Sequence, residues 1–125
     1  MYHENTTLHI ALMSGTVIEA GKRAKLEAIL GSGFIPERLV VTNETANNFV
    51  LRRVIFGFQV AQIGRFWLDG EKTFPLRDFV IDLVSFTPQL RFTPVRVPKN
   101  SLLSFEVECL VTSKFFGQVI GSEFK

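Results

Sequence analysis

The sequence predicts an all-β domain, an antiparallel β-sandwich of jelly-roll type with about eight to nine short strands. Three observations predict it. Phenylalanine dominates the aromatics, thirteen against one Tyr and one Trp, and these side chains sit in short apolar runs. Gly, Pro and Asn cut the runs apart at the spacing of strands and turns. Within the runs apolar residues recur with a period of two, the signature of a half-buried strand. Two stacked sheets lie roughly 10 Å apart and need large side chains between them, so the Phe content suits a sandwich better than a small closed barrel, the alternative architecture.

The 125 residues make one domain, large enough to fold without disulfides or metal. Residues 1–7 are polar and read as a flexible N-terminal arm, leaving 8–125 as the single domain. Leu8 to Met13 is the first strand, stopped by Ser14-Gly15, and Thr16-Val17-Ile18 a short second one. Residues 20–30 suit two readings. Leu26, Ile29 and Leu30 would share a helix face, but Arg23 to Ala28 alternates charge and aliphatic completely, and the strand is preferred. Arg38 to Thr42 follows Pro36 and ends at Asn43. Phe49 to Phe58 is the longest β-prone stretch. Strict alternation sets Phe49, Leu51, Arg53 and Ile55 on one face and Val50, Arg52, Val54 and Phe56 on the other, an arginine on each.

Asp69-Gly70 is a turn signal and predicts a hairpin between Arg65–Leu68 and Thr73-Phe74. Phe79 to Val84 alternates as a strand, and Phe86 to Val97 carries Pro88 and Pro94, which confine it to an edge strand or extended loop. Leu102 to Val111 alternates most cleanly, with Leu103, Phe105, Val107, Cys109 and Val111 to the core. Glu106 and Glu108 wet its other face, where Arg52, Arg53 or Lys114 could meet them across a sheet or an interface. Phe115 to Ile120 is the last strand.

Chemistry-bearing groups are sparse. His3 and His9 are too few for a metal site and lack a carboxylate motif beside them. The lone Cys109 lies in an apolar strand and reads as an inert thiol. Asp69 with Glu71, and Asp78 with Asp82, are explained by turns and solubility, and no glycine-rich phosphate loop is present. The expectation is no enzyme and no cofactor. A net charge of +2 spread along the chain gives no stripe for nucleic acid. No run reaches the roughly 18 apolar residues of a membrane span, and no signal pattern opens the chain, which reads as soluble and made in the cytosol. Asn5-Thr6-Thr7 and Asn43-Glu44-Thr45 fit the glycosylation pattern without an export signal.

Phe34-Ile35-Pro36-Glu37-Arg38-Leu39-Val40-Val41-Thr42, followed by Ala46-Asn47-Asn48-Phe49-Val50-Leu51 and Val54-Ile55-Phe56-Gly57, resembles small all-β bacteriophage virion structural proteins of the capsid decoration or cement type. The chain departs from their pattern from Gly57 onward, where Phe58-Gln59-Val60-Ala61 replaces a more polar loop. The resemblance implies a non-enzymatic subunit of a virion capsid, made in the host cytoplasm. Its implied partners are copies of itself, in a homo-oligomer such as a trimer, and a major capsid protein or other virion proteins. The expected contact residues are Tyr2 and His3 on the arm, Arg65, Phe66, Trp67 and Phe74 on the hairpin, and Phe115, Phe116 and Phe124 on the tail. The rival function is a carbohydrate- or receptor-binding sandwich, which expects Trp67 exposed on a concave face beside polar side chains.

Overall fold

The computed structural model describes residues 6–78 and 89–124. Among the described residues there are eleven strands: β1 (Thr7–Met13), β2 (Arg23–Ile29), β3 (Gly33–Val41), β4 (Phe49–Phe56), β5 (Gln59–Val60), β6 (Gln62–Ile63), β7 (Phe66–Trp67), β8 (Asp69–Pro75), β9 (Gln89–Arg91), β10 (Leu102–Cys109) and β11 (Phe116–Phe124). A short helix α1 (Asn43–Asn48) joins β3 to β4, and one 3-10 turn covers Leu76–Asp78. All strand pairs are antiparallel.

The first sheet runs β1-β11-β3-β9 and the second β2-β10-β4, with β5 and β8 sharing the far edge of β4. Apart from the β5–β8 excursion, successive strands alternate between the sheets, which is a jelly-roll path. The β1–β2, β3–β4 and β10–β11 connections meet at one end, where Ile18 N–H donates to Ser113 O at 2.9 Å and Leu110 N–H to Asn48 O at 2.7 Å. The β2–β3, β4–β5 and β9–β10 connections meet at the other, where Leu30 N–H donates to Ser101 O at 2.9 Å and Gly57 N–H to Leu102 O at 2.8 Å.

The core draws on both sheets. Leu12, Leu39, Val41 and Val119 face Leu26, Leu51, Val54, Leu103 and Val107. Phe34, Phe49, Phe56, Phe105 and Phe115 are fully buried among them. Phe49 meets Phe115 edge-on at 5.2 Å, and Phe56 meets Phe92 edge-on at 5.0 Å. Such geometry brings the positive ring edge to the negative ring face. Phe34, Phe49, Phe56, Phe92, Phe105 and Phe115 fill the gap between the sheets, the role the composition predicts for phenylalanine.

Residues 23–29 form a strand, with Leu26 buried and Arg23, Lys25 and Glu27 exposed. β10 alternates as expected as far as Cys109. Among the described residues β9 lies at the sheet edge and pairs only with β3. Other expectations are corrected. Thr16–Ile18 makes a single bridge, Ile18 to Ser113, and no strand. Gly15 and Gly21, both at positive φ, turn the chain on either side of it. The hairpin does not fold across Asp69-Gly70. It folds at Gly64-Arg65, pairing β6 with β7, while Asp69-Gly70 opens β8 against β4. Asp69 Oδ1 accepts from Glu71 N–H at 3.0 Å, and Gly70 takes φ +95, so the Asp-Gly chemistry makes a bend within a strand.

β3 starts five residues before the expected Arg38 and contains Pro36. A register shift on its β11 side leaves Glu37 without an opposite residue next to Pro36, and strands tolerate proline at such bulges. Helix α1 carries no apolar period to announce it. Its signal is the cap: Thr42 Oγ1 accepts from Thr45 N–H at 3.2 Å and Glu44 sits in the first turn. The expected strand Phe79–Val84 lies outside the described residues, as does the start of the Phe86–Val97 segment.

Candidate interaction surfaces

Exposed apolar side chains collect at the two ends of the sandwich and on the β6–β7 hairpin. At the first end Met13, Val17, Leu110, Val111 and Phe116 are each 44–60% exposed. Met13 and Phe116 are register partners, so both stand on the outer face of the first sheet. With Ala11, Val40 and Gln118 they border an open hollow of about 580 Å³. At the opposite end stand the register partners Ile29 and Leu102, and Phe58, wholly exposed at the β4–β5 turn next to Gly57, whose N–H donates to Leu102 O.

The hairpin projects from the β4 edge. Val54 N–H donates to Leu68 O and Leu68 N–H to Ala61 O, and buried Ala61 and Leu68 root it in the core. Phe66 and Trp67 are about half exposed, at 51% and 55%. Phe74 packs edge-on against Phe66 at 6.1 Å, and Lys72 Nζ lies 5.2 Å from the Phe66 ring centre. Trp67, Gln59, Val60 and Asp69 line an open hollow of about 510 Å³.

The outer face of the second sheet is ionic. Arg23 Nε donates to Glu108 Oε1 at 3.3 Å, and Arg52 Nη1 lies 3.5 Å from the same oxygen. Arg52 Nη2 donates to Gly70 O at 3.3 Å. Arg52 thus ties β10 to β8 across β4. The Arg52–Glu106/Glu108 pairing follows the sequence reading; Arg23 does not, because only the fold sets β2 beside β10.

The expected contact residues scatter. Tyr2 and His3 lie outside the described residues. Arg65, Phe66, Trp67 and Phe74 come together on the hairpin and its flank, with Phe74 half-buried. Phe116 is exposed. Phe115 is a correction: it is fully buried against Phe49 and offers no contact surface, because adjacent residues of extended chain point to opposite sides. Phe124 is half-buried, its ring 4.9 Å from the Arg96 guanidinium carbon, a cation–π distance. Sequence reading missed Met13, Val17, Leu110 and Val111, which look like strand interior until the turns place them at an end.

Cys109 is buried and its thiol lies 3.2 Å from Ile18 O and 3.1 Å from Val111 O. Among the described residues no group of three or more His, Cys, Asp or Glu side chains converges, and no helix is long and apolar enough to cross a membrane. No family model matches this chain, and no curated protein or solved structure matches it.

Proposed function

We propose that this protein is a non-enzymatic virion structural subunit, a capsid decoration or cement protein or a minor capsid component, that assembles through apolar contacts between β-modules. The observation that carries the reading is the placement of exposed apolar side chains: Met13, Val17, Leu110, Val111 and Phe116 at one end, and Ile29, Leu102 and Phe58 at the other. A monomer in water seldom gathers so many large apolar groups at its extremities, whereas an assembling subunit buries them. The jelly-roll path, shared by many capsid domains, and the resemblance over Phe34–Gly57 lend further support.

Light scattering after size exclusion, followed by co-expression with a major capsid protein from the same source and gradient fractionation, tests the proposal. The expected outcome is a defined homo-oligomer that co-migrates with shells, and weaker association for a Met13→Ser/Phe116→Ser double variant. A monomer at every concentration that never co-sediments with shells would reject it.

A second reading, a carbohydrate- or receptor-binding module, is favoured by one observation: exposed Trp67 stands in an open hollow beside Gln59 and Asp69. An indole with polar neighbours is the kind of platform on which a sugar ring stacks. Trp67 is the only tryptophan, so its fluorescence reports the site directly. Glycan-array binding together with a Trp67 emission change is expected under this reading, and silence in both removes it.

A further inference from the structure

We propose that two copies of this chain pair through β1, edge to edge about a two-fold axis, joining their first sheets into one. The proposal deepens the assembly reading above and rests on it.

The ladder fixes which β1 groups are free. Glu123 N–H donates to Thr6 O at 2.8 Å, and Ser14 N–H donates to Phe115 O at 3.1 Å. Antiparallel pairing alternates along the strand. Leu8, Ile10 and Leu12 therefore spend their N–H and C=O groups on β11, while Thr7, His9, Ala11 and Met13 direct theirs to the other side. Among the described residues no strand pairs there.

Among the described residues β2, β8 and β9 are guarded as edges and β1 is not. β2 alternates Arg23, Lys25 and Glu27 along its exposed side. β9, described over Gln89–Arg91, ends on a charge at Arg91. β8 carries Glu71 and Lys72 and bends at Gly70. Charge and bends are among the devices that prevent edge pairing. β1 runs seven residues, Thr-Leu-His-Ile-Ala-Leu-Met, with no Asp, Glu, Lys, Arg, Pro or Gly.

The strand is also complementary to itself. Centred on Ile10, two antiparallel copies set Thr7 opposite the partner's Met13, His9 opposite the partner's Ala11 and Leu8 opposite the partner's Leu12. The residues with free amides then face one another, so each free N–H meets a C=O. The same register keeps Leu8, Ile10 and Leu12 of both copies on the core side. Leu8 and Ile10 are only partly buried against the core in one chain, and a second β1 would complete their cover. No charge on either strand opposes the approach.

The test compares the wild-type chain with Ala11→Pro and Ala11→Lys by sedimentation equilibrium. Proline at 11 deletes an N–H that the monomer leaves free and keeps the β11 ladder, while lysine adds the charge that other edges carry. Circular dichroism melts establish that each variant is folded. The expected wild type is a dimer, weakened about 100-fold or more in both variants, a loss equivalent to two or three net hydrogen bonds. Register is read by oxidative cross-linking of His9→Cys mixed with Ala11→Cys. A cross-linked dimer is expected from the mixture and not from either variant alone, Cys109 being buried. An oligomer indifferent to Ala11→Pro and Ala11→Lys, or one of three subunits, overturns the β1 pairing but leaves assembly through the apolar ends standing. A monomeric wild type overturns the β1 pairing, and it overturns the assembly reading as well when the same protein never co-sediments with shells.

Discussion

Arg52 reaches Glu108 across the β4–β10 pair because a bulge turns it outward. Glu106 opposes Arg53 and Val107 opposes Leu51, so Arg52 has no residue opposite it on β10. Leu51 and Val54 both face the core, and the two arginines between them both face out. The Arg52 side chain is 17% exposed, against 55% for Arg23, which shares the same two glutamates. Screening by water therefore separates the two. Arg52→Ala is expected to cost about 2 kcal/mol, since it leaves two half-buried carboxylates with only the more exposed Arg23 and removes the bond to the Gly70 carbonyl. Arg23→Ala is expected to cost less than about 1 kcal/mol and to lose its effect in high salt. Urea unfolding of both variants at low and high salt checks the ordering, and equal costs would refute it.

Gly121 carries a sharper prediction. It sits at the bulge where β11 steps past β3, and an added Cβ would fall on the Ile35 carbonyl oxygen and 2.7 Å from the Phe34 ring. A backbone oxygen in a central ladder cannot move aside without breaking that ladder. Gly121→Ala is expected to destabilise by about 3 kcal/mol or to prevent folding, in the range of severe overpacking. Gly31 is the control: an added Cβ meets nothing within 4 Å, and its φ is not positive. Gly31→Ala is expected to be neutral, or to stabilise by up to about 1 kcal/mol through the unfolded chain. Thermal melts of the two variants decide the matter.

What the sequence revealed and what it hid divide along one physical line. β10 and β2 were legible because each alternates without interruption, and one phase of the pleat puts every charge outside. β4 was legible as a strand but not in its faces. Arg52-Arg53 gives no period, and the bulge between them appears only when β10 is laid alongside. Asp69-Gly70 was a sound local signal with the wrong partner, since nothing nearby says that β8 pairs with β4 rather than with Phe66-Trp67. The apolar ends were hidden for the same reason. Val17, Leu110 and Val111 lie far apart or inside apparent strands, and Ile18 must bridge Ser113 before they become neighbours.

Phe115 and Phe116 are adjacent in the chain and opposite in fate. Phe115 is wholly buried and edge-on to Phe49, while Phe116 is 44% exposed on the outer face beside Met13. Phe115→Ala is expected to cost about 3–5 kcal/mol through lost burial and the cavity left behind. Phe116→Ala is expected to cost about 1 kcal/mol or less in the isolated chain, its ring already being partly wet. Chemical denaturation ranks them. If the variants are equally destabilised, the register of β11 on β1 described above is wrong.

Cys109 supplies an independent probe of the same end. Its thiol is buried beneath the β1–β2 connection, in reach of the Ile18 and Val111 carbonyls. A thiol reagent can reach it only when the Ile18–Ser113 bridge opens or the whole chain unfolds. The native protein is therefore expected to react slowly, and the rate distinguishes the two routes. Labelling that accelerates with urea as steeply as global unfolding shows that the end is locked to the core. Labelling that is nearly independent of urea shows a local opening of the connection. Val17→Gly, which loosens the connection without removing a buried side chain, separates them further. It is expected to speed labelling several-fold if opening is local, and in proportion to lost stability if it is global. Rapid modification in the absence of denaturant, at the rate of an unfolded peptide, would show that Cys109 is not in the core at all.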